Sequence, residues 1–498
     1  MWRPIRILET AVAVFLTTFL IACGSSGSTP AAGDFSLSLS PQSLSLPIGG
    51  GADTTQVSVQ AINGFSNTVT VSITGLPTGV ITTPASPFMM TPGTNQTVSF
   101  EAEPGMKPAV ATVTFTGTSG TLAHSGTLSL SVATPVYAYV EAKPAQSPGG
   151  QISEYAVDEN TGLLTTVAGS PVSLPSGCCT SGPIDMVGVT ETGGAFIYAL
   201  GEVVSGEFSD TVYTFLVNGS NGVLTATAVP TTTFQPTTVP GTLAVYPNGK
   251  LLYVVQSGCT FAFLIDPGTG NLTQASCSSV PAADQSSFVI APSGNFAFAA
   301  VIKDNPPGTL YTFSINPATG LLTQVQSITT GNALSGKLFT DPQGHALYLL
   351  TQPPPSGGCG SLFIWSINQT SGVLTPLNTS FSTPNCAPVS MAFTPGGQFA
   401  YITSLANQTN LLGIYSGTID ATGNLTNIPG SPFAIGSAPT LGVVEPSLGN
   451  YLIEAIGTPE QVTSFAIDPT TGVLTQVPSS SQMLTGNTPV KMVVVGAP

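Results

Sequence analysis

Residues 465–475 read FAIDPTTGVLT, and this pattern decides the fold because it occurs seven times. Each copy has an apolar strand, a turn containing glycine, and a second strand that begins near Leu-Thr. The other six copies are YAVDENTGLLT, FLVNGSNGVLT, FLIDPGTGNLT, FSINPATGLLT, WSINQTSGVLT and SGTIDATGNLT. Successive turn glycines are separated by 60, 48, 50, 52, 51 and 49 residues; they are Gly162, Gly222, Gly270, Gly320, Gly372, Gly423 and Gly472. A nearly constant period of this length indicates a repeat architecture.

A second repeated motif, a hairpin with a Pro-x-Gly turn, lies between these copies. It reads LAVYPNGKLLYVV, FVIAPSGNFAFAA, LFTDPQGHALYLL and MAFTPGGQFAYIT, with weaker copies VGVTETGGAFIYAL and VVEPSLGNYLIEA. Two hairpins per period make four strands, which is one blade of a β-propeller. Residues 136–142 (VYAYVEA) lack such a partner strand, and residues 489–498 (PVKMVVVGAP) supply one. We therefore predict a seven-bladed β-propeller over residues 136–498, closed by the C-terminal strand.

The residues before the propeller predict a β-sandwich over 34–133. Apolar and polar residues alternate in short strands, for example Val69, Val71 and Ile73 against Thr68, Thr70 and Ser72. Turn residues such as Asn63-Gly64 separate these strands, and their spacing is typical of an immunoglobulin-like domain. The segment resembles the Ig-like modules of bacterial secreted and surface proteins. The predicted fold class is therefore all-β, an Ig-like β-sandwich followed by the propeller.

The N-terminus predicts export and a lipid anchor. Arg3 and Arg6 precede the apolar run 10–22, which is too short to span a membrane as a mature helix. The run ends in Leu-Ile-Ala-Cys-Gly, which resembles the lipobox of bacterial lipoproteins. We predict a signal peptide at 1–22, then the lipidated Cys23 and a flexible tether at 23–33; the alternative is an ordinary cleaved signal with a chance cysteine. Gly24 is not the aspartate that retains some lipoproteins at the inner membrane, which favours the outer membrane.

Charge excludes two classes of partner. Only 6% of the residues are charged, and the formal net charge is −15; losing Arg3, Arg6 and Glu9 with the signal would make it −16. After residue 6 the chain has no arginine. A nucleic-acid binder needs a basic stripe that neutralises phosphates, so nucleic acid is not an expected partner. Apart from the anchor, binding to anionic lipid is disfavoured for the same reason. We expect a monomer.

Six cysteines remain after Cys23, and an even number in an exported chain suggests disulfides. Cys259 and Cys277 flank one hairpin almost symmetrically, which predicts a cross-strand pair. Cys359 and Cys386 flank another hairpin less symmetrically. Cys178 and Cys179 are adjacent, and could bond to each other or remain free. No C-x-x-C motif occurs, and neither His124 nor His345 adjoins a cysteine, so we predict no metal and no cofactor.

The strand order predicts which face of the propeller could carry a site. Both kinds of short, uniform turn fall on one face, and the long, variable loops fall on the other, as is typical of a functional face. The charged residues of that loop face are Glu141, Lys143, Asp185, Glu202, Glu207, Asp210, Asp284, Lys303, Asp304, Lys337, Glu454 and Glu460. The plain interpretation is that loops carry the few solvated charges of the chain.

The two motifs together resemble the lactonase-type seven-bladed propellers, the 6-phosphogluconolactonase-like family, over residues 136–498. That resemblance implies a Pro-Arg-His type stretch entering an inner strand. The matching positions here read Pro183-Ile184-Asp185, Pro388-Val389-Ser390, Pro439-Thr440-Leu441 and Pro489-Val490-Lys491, with no arginine or histidine. Arginine forks are the usual ligands of phosphorylated sugars. The resemblance therefore argues for the fold more than for the chemistry.

Two hypotheses follow from these residues. The first is a non-catalytic binding or scaffold module on an Ig-like stalk, whose partner is a glycan, a peptide or another envelope protein. The second is a divergent lactonase acting outside the cytoplasm, with Asp185 or Glu454 as a carboxylate base that activates water. Lys337 and Lys491 are the other candidate site residues. Convergence of all four on one channel mouth would favour catalysis.

Overall fold

The structure is a computed structural model, and its described part is entirely β. It describes residues 32–48, 52–103, 106–144, 149–174, 183–191, 194–204, 208–227, 232–233, 241–256, 258–279, 284–302, 308–329, 336–351, 360–377, 387–405, 413–435, 438–484 and 487–496. Within these ranges there are strands and turns but no helix. No helix that could cross a membrane occurs in this part of the chain. The predicted signal peptide and Cys23 lie outside the described residues.

Two sheets that share one core form the N-terminal domain. Its strands are β1 Asp34–Ser40, β2 Ser43–Pro47, β3 Asp53–Ile62, β4 Val69–Thr74, β5 Val80–Thr83, β6 Phe88–Met90, β7 Thr94–Ala102, β8 Ala109–Ser119 and β9 Leu122–Ala133. One sheet has the order β1-β3-β7-β5 and the other β2-β9-β8-β4-β6. Phe35, Val57 and Phe100 from the first sheet pack with Phe115 and Leu128 from the second, all fully buried. The alternation seen in the sequence puts these residues on the inner faces.

Seven further sheets, the blades of a propeller, follow from residue 136. Blades one to three contain β10 Val136–Pro144, β11 Gln151–Val157, β12 Leu164–Thr166, β13 Val172–Ser173; β14 Pro183–Glu191, β15 Gly194–Val204, β16 Phe208–Val217, β17 Leu224–Ala226, β18 Thr232–Thr233; and β19 Thr242–Val245, β20 Leu251–Gln256, β21 Cys259–Ile265, β22 Leu272–Ser278. Blades four and five contain β23 Asp284–Ile290, β24 Phe296–Ile302, β25 Thr309–Ile315, β26 Leu322–Thr329; and β27 Gly336–Thr340, β28 Ala346–Thr351, β29 Leu362–Ile367, β30 Leu374–Leu377. Blades six and seven contain β31 Ala387–Phe393, β32 Phe399–Leu405, β33 Gly413–Ile419, β34 Leu425–Asn427, β35 Phe433–Ala434; and β36 Ala438–Val444, β37 Tyr451–Thr458, β38 Glu460–Ile467, β39 Leu474–Gln476, β40 Gln482–Met483.

The last strand, β41 Asn487–Gly496, belongs to blade one. Its sheet has the order β12-β11-β10-β41, so the C-terminal strand is the inner strand of the blade that begins the propeller. The seven inner strands are β41, β14, β19, β23, β27, β31 and β36, and each contacts the next around a ring. A ring of inner strands surrounds the central channel of a propeller and leaves no exposed sheet edge there.

A buried tyrosine on the second strand of most blades fastens that blade to the next one. The hydroxyl of Tyr198 donates to the carbonyl of Gly270 at 2.9 Å, and Tyr401 donates to Gly472 at 3.1 Å. Tyr139, Tyr253 and Tyr348 make the same bond to Gly222, Gly320 and Gly423. These glycines are the turn residues of the defining motif, so the repeat encodes both the hairpin and its contact with the neighbouring blade.

The turn glycine is required where it stands. Gly270 has φ +72°, a conformation that residues with a Cβ seldom adopt, and an added Cβ would lie 2.5 Å from Cδ1 of Phe196. The aspartate that begins several of these turns also has a structural role. Oδ1 of Asp468 accepts hydrogen bonds from the backbone N–H groups of Thr470 and Thr471, at 3.0 and 2.8 Å.

Candidate functional site

One position near the start of each inner strand is equivalent in all seven blades. We call these seven residues the channel ring: Lys491, Asp185, Thr242, Ser287, Lys337, Ser390 and Leu441. Their partners across to the second strand are Glu141, Leu200, Val255, Ala300, Leu350, Thr403 and Ala455. In most blades a β-bulge lies next to the ring position, and bulges commonly redirect side chains beside functional sites.

Hydrogen bonds between neighbouring blades show that three ring side chains, those of Asp185, Ser287 and Ser390, face the following blade. Oδ2 of Asp185 accepts the backbone N–H of Leu243 at 2.8 Å. Oγ of Ser287 accepts the N–H of Leu338 at 2.9 Å, and Oγ of Ser390 accepts that of Gly442 at 3.4 Å. Each donor follows the ring residue of the next blade, so the contact repeats with the symmetry of the propeller. The ring therefore contains hydrogen bonds that join neighbouring blades and three charged side chains, those of Asp185, Lys337 and Lys491.

Asp185 and Lys491 form an ion pair across the interface of blades one and two. Nζ of Lys491 lies 2.6 Å from Oδ1 of Asp185. The backbone N–H of Met186 also reaches Oδ1, and the Thr242 hydroxyl donates to Oδ2 at 2.7 Å. Burial alone would raise the pKa of Asp185, but the charge of Lys491 and the hydrogen bonds outweigh it and hold that pKa below its usual value. Asp185 is thus an ionised carboxylate with every lone pair in use.

Glu141 lies beside this ion pair and has no hydrogen-bond partner. It stands directly opposite Lys491 on the neighbouring strand β10. Its side chain is fully buried, and neither carboxyl oxygen bonds to any described residue. Burial, and secondarily the negative charge of Asp185, raise the pKa of Glu141 well above its usual value. Burial thus favours the neutral form of Glu141, a residue that the sequence analysis placed only among the charged residues of the loop face.

Lys337 occupies the ring position of blade five, across the channel. Its side chain is accessible to solvent, yet the surrounding protein desolvates its ammonium enough to lower its pKa. The positive charge of Lys491 lowers the same pKa further, whereas Asp185 opposes that effect. Such interactions require the three groups to lie near one another. Among the described residues Lys337 makes no ion pair, so it is an unneutralised cation in the channel of an acidic protein.

Glu454 lies elsewhere, between blades six and seven. It is opposite Gly442, one residue away from the ring register, and so faces the other side of its blade. The Thr403 hydroxyl donates to Oε2 at 3.2 Å, and Oε1 has no described partner. Glu454 is fully buried, and that burial raises its pKa well above the usual value. The structure therefore brings Asp185, Lys337 and Lys491 together and leaves Glu454 apart.

The remaining predicted positions have separate outcomes. Cys259 and Cys277 form a disulfide in blade three, with Cα atoms 5.9 Å apart. Cys178, Cys179, Cys359 and Cys386 lie outside the described residues, as do Glu207, Lys303 and Asp304 of the loop face. In the part of the chain that the structure describes, no group of three or more His, Cys, Asp or Glu side chains could hold a metal ion.

Comparison with known proteins supports the type of propeller. Residues 206–393 match the family model described as "Lactonase, 7-bladed beta-propeller". The predicted resemblance to lactonase-type propellers, and the all-β fold class, are confirmed. No curated protein sequence matches the chain significantly.

Solved structures of low sequence identity share this architecture. A Bacteroides uniformis protein with a provisional assignment as a 6-phosphogluconolactonase has a TM-score of 0.55 and 18% identity, covering 73% of this chain and 100% of its own. A Bacteroides fragilis protein with the same provisional assignment has a TM-score of 0.55 and 17% identity, covering 73% of this chain and 98% of its own. A Lactobacillus plantarum protein has a TM-score of 0.51 and 14% identity, with coverages of 73% and 99%. At these identities the likeness shows the fold alone.

Proposed function

We propose that this protein is an exported, lipid-anchored binding module whose propeller channel takes a small acidic sugar without hydrolysing it. The observation that carries the proposal is that the charged residues of the channel ring differ in whether they form an ion pair. Asp185 is held by Lys491 and by blade three, whereas Lys337 has no ion-pair partner in the described part of the chain. An unneutralised ammonium at a channel surface attracts carboxylate or phosphate groups.

The ring also contains a hydroxyl group that suits a sugar. Ser287 is partly exposed and uses an oxygen lone pair to accept the backbone N–H of Leu338, which leaves its hydroxyl hydrogen available as a donor. This hydroxyl and the ammonium of Lys337 would bind the hydroxyl and acid groups of a sugar acid together. The net charge of the whole chain, −15, repels large polyanions, which favours a small ligand over a long acidic polymer.

Neither predicted carboxylate is suited to act as a base. A general base needs a lone pair that reaches the substrate or its attacking water. Asp185 is 5% exposed and its oxygens already accept four hydrogen bonds, counting Lys491. Glu454 is fully buried against Thr403. The site therefore supports binding better than acid release.

The proposed location rests on the N-terminal sequence and on the disulfide. Arg3, Arg6, the apolar run and Cys23 fit a lipoprotein signal. The Cys259–Cys277 disulfide fits an oxidising compartment outside the cytoplasm. We assign the protein to the cell envelope, with the outer membrane preferred.

A divergent lactonase is the second candidate, because residues 206–393 match a lactonase family model. It would act on a small lactone outside the cytoplasm. Because the oxygens of Asp185 are already bonded, this candidate needs a different residue as its general base. It also needs a lactone whose binding does not depend on arginine.

One experiment separates these candidates. The chain without residues 1–22 is titrated calorimetrically with gluconate, 6-phosphogluconate and glucuronate, and tested for acid release from the lactones of the first two and from acyl-homoserine lactones. We expect at least one sugar acid to bind, no release above buffer, and affinity about tenfold lower for Lys337→Met, the loss of one charged hydrogen bond. Lys250→Met, in an exposed turn on the opposite face, is the matched control. Acid release above buffer, by the unaltered chain and by Lys250→Met alike, would establish the lactonase instead, and binding unaffected by Lys337→Met would refute the site.

A further inference from the structure

A cavity of about 260 Å³ lies where the N-terminal sandwich meets the propeller. Both domains supply polar residues to its lining: Ser45 and Thr134 from the sandwich and the linker, and Asp158, Glu159 and Thr165 from blade one. Asp158 and Glu159 belong to the turn between β11 and β12. The cavity is therefore on the face of the short turns, at the opposite end of the propeller from the channel ring, and its chemistry does not depend on the sugar-acid site.

The carboxyl group of Glu159 is buried at this cavity without a hydrogen bond. The residue is 5% exposed, and its Oε1 has no partner among the described residues. Oγ of Ser447, from blade seven, is close enough to influence Glu159, yet it too is buried and makes no hydrogen bond there. Native proteins leave few buried polar atoms unpaired. An unpaired acid on the wall of a cavity is the arrangement expected where a bound molecule completes its hydrogen bonds.

Two other carboxyl groups near Glu159 are already bonded to the backbone. Oδ1 of Asp158 accepts the N–H groups of Asn160 and Thr161, both at 2.9 Å. Glu445, which follows β36 of blade seven, accepts three backbone N–H groups at 2.7, 2.9 and 3.1 Å. In the part of the chain that the structure describes, none of these three acids forms an ion pair. Of the three, only Glu159 therefore has a carboxyl group available to a ligand.

The groups that face Glu159 are negative or neutral. Burial raises the pKa of Glu159 to about 8, and the charges of Glu445 and Asp158 contribute to that increase. Tyr451 of blade seven and Tyr137 on the cavity wall also lie in this region, and burial raises the pKa of both, so they are uncharged at neutral pH. A cation in the cavity would act in the opposite direction, since an opposite charge favours the ionised carboxylate.

We propose that the cavity binds a protonated primary amine, whose ammonium group pairs with the carboxylate of Glu159. An ammonium has three donors and no acceptor, and the hydroxyl groups of Ser45, Thr134 and Thr165 are further acceptors in the lining. Among the described residues, no group of three or more His, Cys, Asp or Glu side chains could hold a metal ion, which favours an organic cation. The amine is supplied either by a free diamine or by a lysine side chain of a peptide.

Binding of the amine is coupled to the release of a proton. At pH 7, below the pKa of about 8, the free Glu159 is mainly protonated, and it must lose that proton to solvent before it can form the ion pair. The affinity should therefore rise about tenfold between pH 6 and pH 7, and it should stop rising above the pKa of Glu159. The amine itself stays protonated until the pH approaches about 10.4.

Calorimetric titration of the chain without residues 1–22 tests the site. The probes are cadaverine, for a free diamine, and Nα-acetyl-lysine methylamide, for a peptide lysine, with 1-pentanol as the uncharged control. We expect at least one amine to bind at pH 8, pentanol not to bind, and about one proton to be released at pH 7, measured in buffers of different ionisation enthalpy. The amine that binds more tightly identifies the source of the ammonium group. No binding of either amine at pH 8 would overturn the proposal.

Two variants assign the binding to Glu159. Glu159→Gln keeps the size of the side chain and removes its charge, so we expect the affinity at pH 8 to fall at least about tenfold and its pH dependence to vanish. Glu101→Gln removes the same charge from an exposed position on β7 of the sandwich, and should leave affinity and pH dependence unchanged. Both should retain the β circular dichroism of the unaltered chain. Equal affinity of the two variants, or an affinity of the unaltered chain that is the same at pH 6 and pH 7, would refute the pairing with Glu159.

Discussion

Two interfaces of the propeller bury a glutamate on the second strand, yet only one of them forms a charged cluster. Between blades one and two, Glu141 stands opposite Lys491 and beside Asp185. Between blades six and seven, Glu454 stands opposite Gly442 and bonds only to the Thr403 hydroxyl among the described residues. Both acids are fully buried and have a raised pKa. The residue that stands opposite the glutamate on the inner strand is a lysine in the first interface and a glycine in the second. That residue, rather than the buried acid, decides whether the interface contains an ion pair.

The largest expected effect distinguishes the two ring lysines. Lys491→Met leaves the buried carboxylate of Asp185 without its cation, and we expect a loss of about 3 kcal/mol in the free energy of unfolding, the lower end for breaking a buried pair. Lys337→Met changes the equivalent ring position in blade five, which has no described ion pair, and should cost less than about 0.5 kcal/mol. Urea denaturation of both variants measures the difference. Equal losses would show that Lys491 and Asp185 do not form a stabilising unit.

Sequence repeats predict the blades well because their signals are local. The turn glycine, the turn aspartate and the alternating apolar residues each act within one hairpin, so seven copies in the sequence become seven blades. The candidate residues Asp185, Lys337 and Lys491 were also accessible to sequence reasoning, because charged residues are rare in this chain and these three stand at strand entries.

The partners of those residues could not be predicted in the same way. Glu141 meets Lys491 only because the first and last strands of the propeller pair, with a register shift between Glu141 and Ala142. No local signal marks that shift. Glu454 illustrates the same limit. Its neighbour Ala455 is the residue that pairs with the ring residue Leu441, and a shift of one residue along a strand places a side chain on the opposite face.

A second prediction concerns the glycine that makes room for Glu454. A Cβ at Gly442 would lie 2.5 Å from Oε2 of Glu454 and 3.0 Å from Oγ1 of Thr403. We expect Gly442→Ala to cost about 2 kcal/mol by overpacking. In the background of Glu454→Ala the same substitution should cost much less, because the carboxyl group is gone. A double-mutant cycle measures this coupling, and strictly additive costs would mean that Glu454 does not occupy the space beside Gly442.

The smallest effect, and the sharpest contrast between the interfaces, is in the pH dependence of stability. A carboxyl whose pKa is raised by folding stabilises the fold fully below its unfolded pKa, and that contribution is lost as pH rises towards the folded pKa. Glu454 has this sign, since burial raises its pKa above the usual 4.5. Asp185 has the opposite sign, because its pKa lies below the usual 3.8, and its contribution is lost as pH falls. Glu454→Gln, which mimics the protonated acid, should therefore match the unaltered chain at pH 4 and be slightly more stable at pH 8.

Denaturation curves across that pH range test the sign directly. Glu454→Gln should flatten the decline in stability between pH 5 and 8, because glutamine has no proton to lose on either side of the unfolding equilibrium. A decline as steep as that of the unaltered chain would mean that Glu454 is already ionised in the folded protein. The carboxylate between blades six and seven would then need a cation, as Asp185 has, and the contrast between the two interfaces would no longer hold.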